Sequence, residues 1–488
     1  MAEKFVLVLD EGTTSTRAML FGPDGTLHGT VQRELTQYYP QPGWVEHDAA
    51  EIWSRTLQCA REVIEKAGGA GRIAALGITN QRETVVAWDK VTGEPLARAI
   101  VWQDRRTAAF CAELEETGYE PEVQRVTGLL LDPYFSATKM RWLLRNEPAV
   151  ADAAAAGRLA FGTVESWLTF KLTGGAHISD ASNASRTLLL PLAGATWDES
   201  LCDLFEVPLA TLPQVVDTSG ALGTTDLFGE PIPICGMAGD QQAATIGQGC
   251  LDPGDVKATY GTGAFILANM GSAIPHSANR LLGTVLCQQD GERVYALEGS
   301  IFAAGSLVQW LRDSLGLLGS AAETEALARS VPDTGGVVIV PAHSGLGAPH
   351  WRPDARGVIS GLSFATTHAH IARAALEAMA HQTHDLAEAF AADGAPWKEL
   401  RIDGGMSAND WMAQDIADVT GLIVERPHFV ETTALGAALL AATGAGLFGS
   451  LNEAATGMIG EARRFKPSMA ADVRTARIAQ WRAALARI

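Results

Sequence analysis

The chain has 488 residues, 47% of them hydrophobic, and 37 Lys and Arg against 56 Asp and Glu give it a formal charge of −19. Its length is about three times the ~150 residues of one domain, so two or three domains are expected, and its apolar share excludes wholesale disorder. The acidic excess disfavours nucleic acid and anionic membrane surfaces as partners.

Residues 5–9 form an apolar run that predicts a strand but is too short for a signal peptide. A polar turn, a strand at 17–21, the turn Pro23-Asp24-Gly25 and a strand at 27–33 follow. Asp48 opens a predicted helix in which Ile52, Trp53, Leu57, Ala60, Val63 and Ile64 recur at helical spacing, until Gly68 and Gly69 stop it. Strands are expected at 73–78 and 85–88. Near residue 250 the pattern starts again: a turn at 251–254, then a strand, a Gly/Thr turn and an apolar strand within 257–267. A hairpin turning at Asp290-Gly291 and helices near 301–315 and 368–391 follow. This repeat predicts two α/β halves, 1–249 and 250–488, packed around a cleft. The nearest membrane candidate, 434–448, is short, built from Ala and Gly and broken by Thr443, so no membrane insertion is expected. Six cysteines lie far apart with no C-x-x-C pair, which suits free buried thiols in a reducing compartment and a cytoplasmic location.

Several polar segments interrupt this pattern. Asp10-Glu-Gly-Thr-Thr-Ser15 lies between two strands, where its backbone N–H groups and hydroxyls can surround a phosphate and a strand-end carboxylate can hold magnesium through water. A plain hairpin turn accounts for the same residues. No lysine sits in a G-x-x-x-x-G-K-[ST] motif, which excludes a P-loop, and Gly444-Ala-Gly-Leu-Phe-Gly449 follows a helical segment, not the strand a dinucleotide fingerprint needs. Asp403-Gly404-Gly405 leads from an apolar stretch towards Ser407, Asn409 and a helix. The double glycine lets backbone approach a flat ligand, and a capped strand-to-helix turn is the alternative. Asp240, in Gly239-Asp-Gln-Gln242, is placed to act as a general base, to cap the helix that follows, or both. Asn80-Gln-Arg-Glu-Thr84 sets a cationic fork beside a carboxylate, a pair suited to vicinal hydroxyls; a solvated loop is the plainer reading. His368, His370, His381 and His384 share one predicted helix and are read as a solvated face, not a metal site. Asn183-Ala-Ser185 is a glycosylation sequon without a secretory context.

Taken together, these segments resemble the FGGY carbohydrate kinases. The resemblance spans nearly the whole chain. It rests on Leu9-Asp-Glu-Gly-Thr-Thr-Ser-Thr-Arg17, Gly43-Trp-Val-Glu-His47, Gly77-Ile-Thr-Asn-Gln-Arg-Glu-Thr84, Val101-Trp-Gln-Asp-Arg-Arg106 and Asp132-Pro-Tyr-Phe-Ser136. It continues through Asn183-Ala-Ser-Arg-Thr187, Gly239-Asp-Gln-Gln242, Thr259-Tyr-Gly-Thr-Gly263 and Gly345-Leu-Gly-Ala-Pro349. It implies an α/β fold of two actin-like (ribonuclease-H-like) domains flanking a central catalytic cleft, with ATP and Mg²⁺, glycerol as acceptor, and a homo-oligomer, dimer or tetramer. By this resemblance Thr13, Thr14, Ser15 and Arg17 meet the phosphates, with Asp10 near magnesium. Thr262, Gly305, Gln309, Gly405 and Asn409 match the nucleotide positions of the second domain. Arg82, Glu83, Tyr134, Asp240 and Gln241 match the hydroxyl ligands, Trp102 and Phe265 the apolar wall, and Asp240 is the implied general base. A kinase for another polyol or sugar, such as xylulose or gluconate, shares the nucleotide loops but needs a different set at 82, 83, 102 and 134. An actin- or Hsp70-like nucleotide switch lacks the polyol pocket. In some members the segment before the Asp240 strand carries a basic loop for fructose 1,6-bisphosphate, in others a phosphorylated histidine. Here 218–230 contains no Arg, Lys or His, so neither control is expected.

Overall fold

The computed structural model describes residues 4–343, 345–352 and 354–488. The first apolar run becomes β1 (Phe5–Glu11), with every residue buried, as expected of a strand covered on both faces. β2 (Ser15–Phe21) and β3 (Leu27–Glu34) complete an antiparallel meander. Asp48 caps α1 (Ala49–Ala67) by accepting from the N–H groups of Ala50 and Glu51, and Gly68 ends it in the left-handed conformation. β4 (Ile73–Asn80), β5 (Ser219–Thr225) and β6 (Ile232–Gly239) bring the first sheet to six strands, in the order β5-β6-β4-β1-β2-β3. The helix α2 (Asp240–Gly247) then leads to the second half.

There β7 (Val256–Tyr260), β8 (Ala264–Gly271), β9 (Leu282–Gln289) and β10 (Glu292–Ile301) precede α3 (Gly305–Asp313) and α4 (His368–Ala392). β11 (Glu399–Asp403), α5 (Asp410–Thr420), β12 (Ile423–Pro427), α6 (Thr432–Gly444), β13 (Ala462–Phe465) and α7 (Ala471–Leu485) follow. The seven-stranded sheet runs β9-β10-β8-β7-β11-β12-β13. Its β10-β8-β7-β11-β12 portion repeats β3-β2-β1-β4-β6 of the first sheet: two antiparallel pairings, then two parallel ones. The α/β fold is therefore two-domain and internally duplicated. The helix expected near 301–315 starts only at Gly305, because Ile301 still pairs with Ala264 in the sheet.

The Ala/Gly run at 434–448 is explained by α6. This helix belongs to the second half of the chain yet lies on the first sheet, filling one face with Ala437, Ala438 and Ala441 against Val6, Val8 and Ala75. A β-carbon on Gly77 or Gly236 of the sheet would come 2.6 Å from Ala437 O or 2.5 Å from Ala441 N. The crossing of α6 with α2 is closer still: a β-carbon on Gly436 would fall 1.8 Å from Ala243 O, and one on Gly247 1.9 Å from Thr432 O. Among the described residues no helix is long and apolar enough to cross a membrane. All six cysteines are free and buried.

The histidine helix differs from the solvated face expected of it. His381 is buried and stacks on Trp481 of α7, ring centroids 5.3 Å apart, while His370 supports the N-terminal capping box of α4. His384, Asp385 and Glu388 approach one another, but Asp385 accepts from Trp481 and Glu388 from Arg482, so structural partners occupy these carboxylates.

The α2–α6 crossing generates a stability prediction. Forcing a methyl into a filled contact costs about 1–3 kcal/mol, so Gly436→Ala should lower the urea midpoint by that equivalent. Gly460→Ala, where a β-carbon meets nothing within 4 Å, should leave the midpoint near that of the parent.

Candidate active site

The parallel strands of each sheet end level with one another. Glu11 of β1 and Gly239 of β6 both stand in register with Asn80 of β4, so the turns after all three rise from one edge of the first sheet. In the second sheet Thr259 of β7 is level with Asp403 of β11. The carboxyl ends of parallel strands are where α/β sheets hold ligands.

Segment 80–84 is not a solvated loop. Each of its residues is 3% exposed or less. Glu83 sits at φ 61°, a costly conformation for a residue with a side chain, and its carbonyl accepts from Ser136 Oγ at 3.2 Å and Lys139 Nζ at 3.4 Å. The same ammonium donates to the carbonyls of Tyr134 (2.5 Å) and Phe135 (3.0 Å), so Lys139 fixes Glu83 and Tyr134 together. Burial lowers its pKa to about 8 against the pull of Glu83.

Arg82 is the hub of the constellation. Nη1 donates to Glu298 Oε2 at 2.6 Å and Gln242 Oε1 at 3.4 Å, Nη2 donates to the Tyr134 hydroxyl at 3.3 Å, and Nε lies 3.5 Å from Asp240 Oδ1. Burial opposes the charge on Arg82, but Glu298 and Glu83 outweigh it and raise the guanidinium pKa. Burial also raises the carboxyl pKa of Glu83, against Arg82 and Arg186. For Glu298, Arg186 and Arg82 overcome burial and hold the carboxyl down to about 2.

Asp240 is the first residue of α2, with Gly239 in the N-cap place; its carboxylate accepts from the Gln241 N–H at 2.7 Å. The capping alternative is thus replaced by a contact one residue on. The side chain keeps 34% of its surface exposed, at the rim of the buried charges. Burial raises its pKa, opposed by Arg82 and Lys257, and a raised carboxyl pKa favours proton acceptance. Gln241 Oε1 accepts from Lys257 Nζ at 2.5 Å, a contact between the two halves.

Trp102, expected as an apolar wall, makes a polar contact as well. Its indole N–H donates to Thr13 Oγ1 at 3.0 Å while its ring meets Tyr134 edge-on at 5.6 Å, so it ties the 10–15 turn to the Arg82 site. Phe265 is half-buried on β8, opposite Thr259 and Ser300. In the turn expected to meet phosphate, the Gly12 N–H donates to Ser15 O at 3.0 Å, Thr13 and Ser15 are half-buried, and Thr14 is exposed. Arg17 spans Asp10 (2.5 Å) and Glu431 (2.6 Å), one carboxylate from each half. Burial raises the Asp10 pKa against the pull of Arg17. The donors gathered here, the Asp10 carboxylate and the hydroxyls of Thr13, Thr14 and Ser15, are all oxygen, the set that fits magnesium.

The nucleotide candidates lie on turns fastened to one another. The N–H groups of Ala304 and Ser306 both donate to Thr262 O at 3.0 Å, and that of Gly305 to Gly261 O at 2.9 Å. A β-carbon on Gly305 would fall 2.6 Å from Gly261 O and 3.4 Å from Met406 Cγ, so the 261–263, 304–306 and 404–406 turns converge. Gly405 meets nothing within 4 Å and offers open backbone to a flat ligand. Asn409 caps α5 through Met412 N–H at 2.9 Å and donates to Thr324 Oγ1 at 3.2 Å; Gln309 is exposed on α3.

Four buried residues were given no role from the sequence: Lys139, Arg186, Lys257 and Glu298. For Lys139, Lys257 and Glu298 a signal was available, since an ionisable residue within a buried strand or helix needs a partner. Asn183, in the glycosylation sequon, is fully buried and donates to Asn80 Oδ1 at 3.0 Å.

Two family models match the chain: the N-terminal domain of the FGGY family of carbohydrate kinases over residues 5–247, and its C-terminal domain over 256–445. The chain is 54% identical over 489 residues to the glycerol kinase of Rhodospirillum rubrum, covering 99% of each chain. It is 55% identical over 488 residues to that of Aromatoleum aromaticum, covering 99% of this chain and 98% of the relative. The crystal structure of Plasmodium falciparum glycerol kinase with ADP is similar at a TM-score of 0.94 and 34% identity, over 99% and 98% of the two chains. The xylulose kinase of Rhodospirillum rubrum follows at 0.89 and 28% identity, over 99% of each chain.

Beneath the 10–15 turn, Glu11 accepts from Thr16 and from Thr56 (2.6 Å), and burial raises its carboxyl pKa to about 8. Unfolded, the carboxyl loses its proton near 4.5. The folded chain therefore binds the extra proton between these values, and stability falls as pH rises through that window. Glu11→Gln, which mimics the protonated acid, should flatten that part of the Tm–pH curve, with the variant gaining on the parent towards pH 8.

Proposed function

The chain belongs to the FGGY family of carbohydrate kinases, and from that premise we propose that it catalyses ATP-dependent phosphorylation of glycerol to sn-glycerol 3-phosphate and ADP. The observation that supports this acceptor is the Arg82 hub, which joins a guanidinium, the Glu83 and Asp240 carboxylates and the Tyr134 hydroxyl at one end of the cleft. Glycerol offers only hydroxyls and C–H bonds. A fork donates to the hydroxyl oxygens, a carboxylate accepts their protons, and Trp102 and Phe265 take the apolar edge.

Phosphoryl transfer depends on positioning and on charge stabilisation, because the transferred group carries dispersed negative charge. Asp240 accepts the proton of a terminal hydroxyl as that oxygen attacks the γ-phosphorus of ATP; the bond to the β-γ bridging oxygen breaks and ADP leaves. The N–H groups and hydroxyls of Thr13, Thr14 and Ser15 donate to phosphate oxygens, and Arg17 adds a cation beside them. Asp10 would hold magnesium through water, and the ion supplies charge neutralisation on the phosphates. Thr262, Gly305, Gln309, Gly405 and Asn409 form the nucleotide side. Closing the halves over the acceptor excludes water that would otherwise hydrolyse ATP. A homo-oligomer and a cytoplasmic setting complete the proposal.

Asp240→Asn keeps shape and loses basicity. General-base catalysis contributes about 10²–10⁴ in rate, so kcat should fall by that range while the glycerol KM changes little; near-normal kcat in initial-rate assays would remove Asp240 from the role. Segment 218–230 is built into the sheet edge, with Thr218 N–H donating to Gln288 O at 2.9 Å and Ser219 Oγ to Leu440 O at 2.8 Å. It has no cation to offset desolvating a bisphosphate. Fructose 1,6-bisphosphate titrated at low salt should leave the rate unchanged, and saturable inhibition lost on mutating this segment would contradict that.

A further inference from the structure

Arg186 and Glu298 close a ring of four buried charges around the acceptor side of the cleft. Glu298 Oε2 accepts from Arg82 Nη1 at 2.6 Å and its Oε1 accepts from Arg186 Nη2 at 2.9 Å. Arg186 Nε donates to Glu83 Oε1 at 2.7 Å, and Arg82 Nε lies 3.7 Å from the same oxygen. All four side chains are 2% exposed or less. Arg82, Glu83 and Arg186 come from the first half of the chain, and Glu298 crosses to them from β10 of the second.

We propose that Arg186 and Glu298 are positioning residues that orient Arg82 and Glu83 towards the polyol and thereby set acceptor specificity. The inference rests on the reading that Arg82 and Glu83 bind glycerol hydroxyls. A planar guanidinium holds two carboxylates in fixed directions, and Arg186 does this for Glu83 and Glu298 at once. Glu83 thus has Oε1 occupied, while no donor among the described residues reaches Oε2, which is left for a hydroxyl. Glu298 in turn holds one end of the Arg82 fork, so that Nη2 meets Tyr134 and Nε faces Asp240.

Charge balance makes the arrangement depend on Glu298. Two guanidinium groups and two carboxylates are neutral together. Without the Glu298 charge, Glu83 would be the one carboxylate of the ring left to Arg82 and Arg186, and Arg82 would swing towards Glu83 and towards Asp240 at the rim. The hydroxyl acceptor and the base would then both be drawn into ion pairs. A site built to hydrogen-bond a hydroxyl rejects analogues lacking it because its polar groups stay unpaired, and that rejection weakens once those groups have other partners.

Glu298→Gln, Arg186→Lys and Glu83→Gln, each in the full-length chain, test this. In Glu298→Gln and Arg186→Lys the glycerol KM should rise at least about 10-fold, with the ATP KM within about 2-fold and ADP binding by calorimetry unchanged. The preference for glycerol over propane-1,2-diol, which lacks one terminal hydroxyl, should narrow by a similar factor. Lysine keeps the buried charge but not the fork, so Arg186→Lys carries the test should Glu298→Gln not fold. A glycerol KM and preference unchanged in a folded variant overturn the inference, even if its Tm drops. Glu83→Gln separates the two levels. If it leaves the glycerol KM unchanged, the acceptor reading itself fails; if it raises that KM while the other two variants do not, only the positioning role fails.

Discussion

The ion pair between Arg82 and Glu298, 2.6 Å long and almost wholly out of water, joins the two halves. A buried charge survives only with a partner, and losing one partner costs about 3–5 kcal/mol. The pair therefore constrains both halves: without Arg82, Glu298 keeps Arg186 as its ion partner, and without Glu298, Arg82 is left to Glu83 and Asp240 in the first half. Tyr134 and Asp240 take their positions from that guanidinium, and Glu83 from Arg186 in the same ring. The chemistry at the rim inherits its geometry from charges that are almost wholly buried.

A second constraint operates where two helices cross between the halves. The chain crosses between halves through α2 and returns through α6, and glycines at their crossing let the backbones touch. Both helices report to a single carboxylate. Asp403, at the end of β11 and the start of the Gly404-Gly405 turn, accepts from Gln248 at the end of α2 (2.7 Å) and from Thr432 at the start of α6. A shift of either helix is thus felt directly at the turn proposed for the nucleotide. Arg17, held between Asp10 and Glu431, gives the turn proposed for the phosphates a comparable link across the halves.

The parts legible in the sequence are those governed by local rules. The strand at 5–9, the Asp48-capped helix and the Asp290-Gly291 hairpin follow from apolar runs and turn residues, and the duplicated halves from two similar strand-turn-strand patterns. The turns carrying Thr13, Asp240 and Gly405 were legible for the same reason, since glycine and short polar residues at strand ends announce themselves. What stayed hidden depends on contacts between distant residues. Arg186 and Glu298 are 112 positions apart, and neither sits in a sequence pattern that predicts its partner. Segment 80–84 reads as a polar loop because its solvent is replaced by Arg186, Glu165 and Asn183, all remote in sequence. His381 is buried for a similar reason: α7, at the far end of the chain, folds back and covers it. The alanine-rich α6 could be read only as short and apolar, because its counterpart is the sheet of the other half.

If this site phosphorylates glycerol, acceptor-dependent ADP release under saturating ATP shows it most directly. With glycerol, xylulose, gluconate and no acceptor compared in parallel, the Arg82–Glu83–Tyr134–Asp240 arrangement predicts that kcat/KM for glycerol exceeds those of both sugars, with negligible release in the absence of acceptor. Equal or greater efficiency with xylulose or gluconate, or ADP release that does not depend on an acceptor, would contradict it.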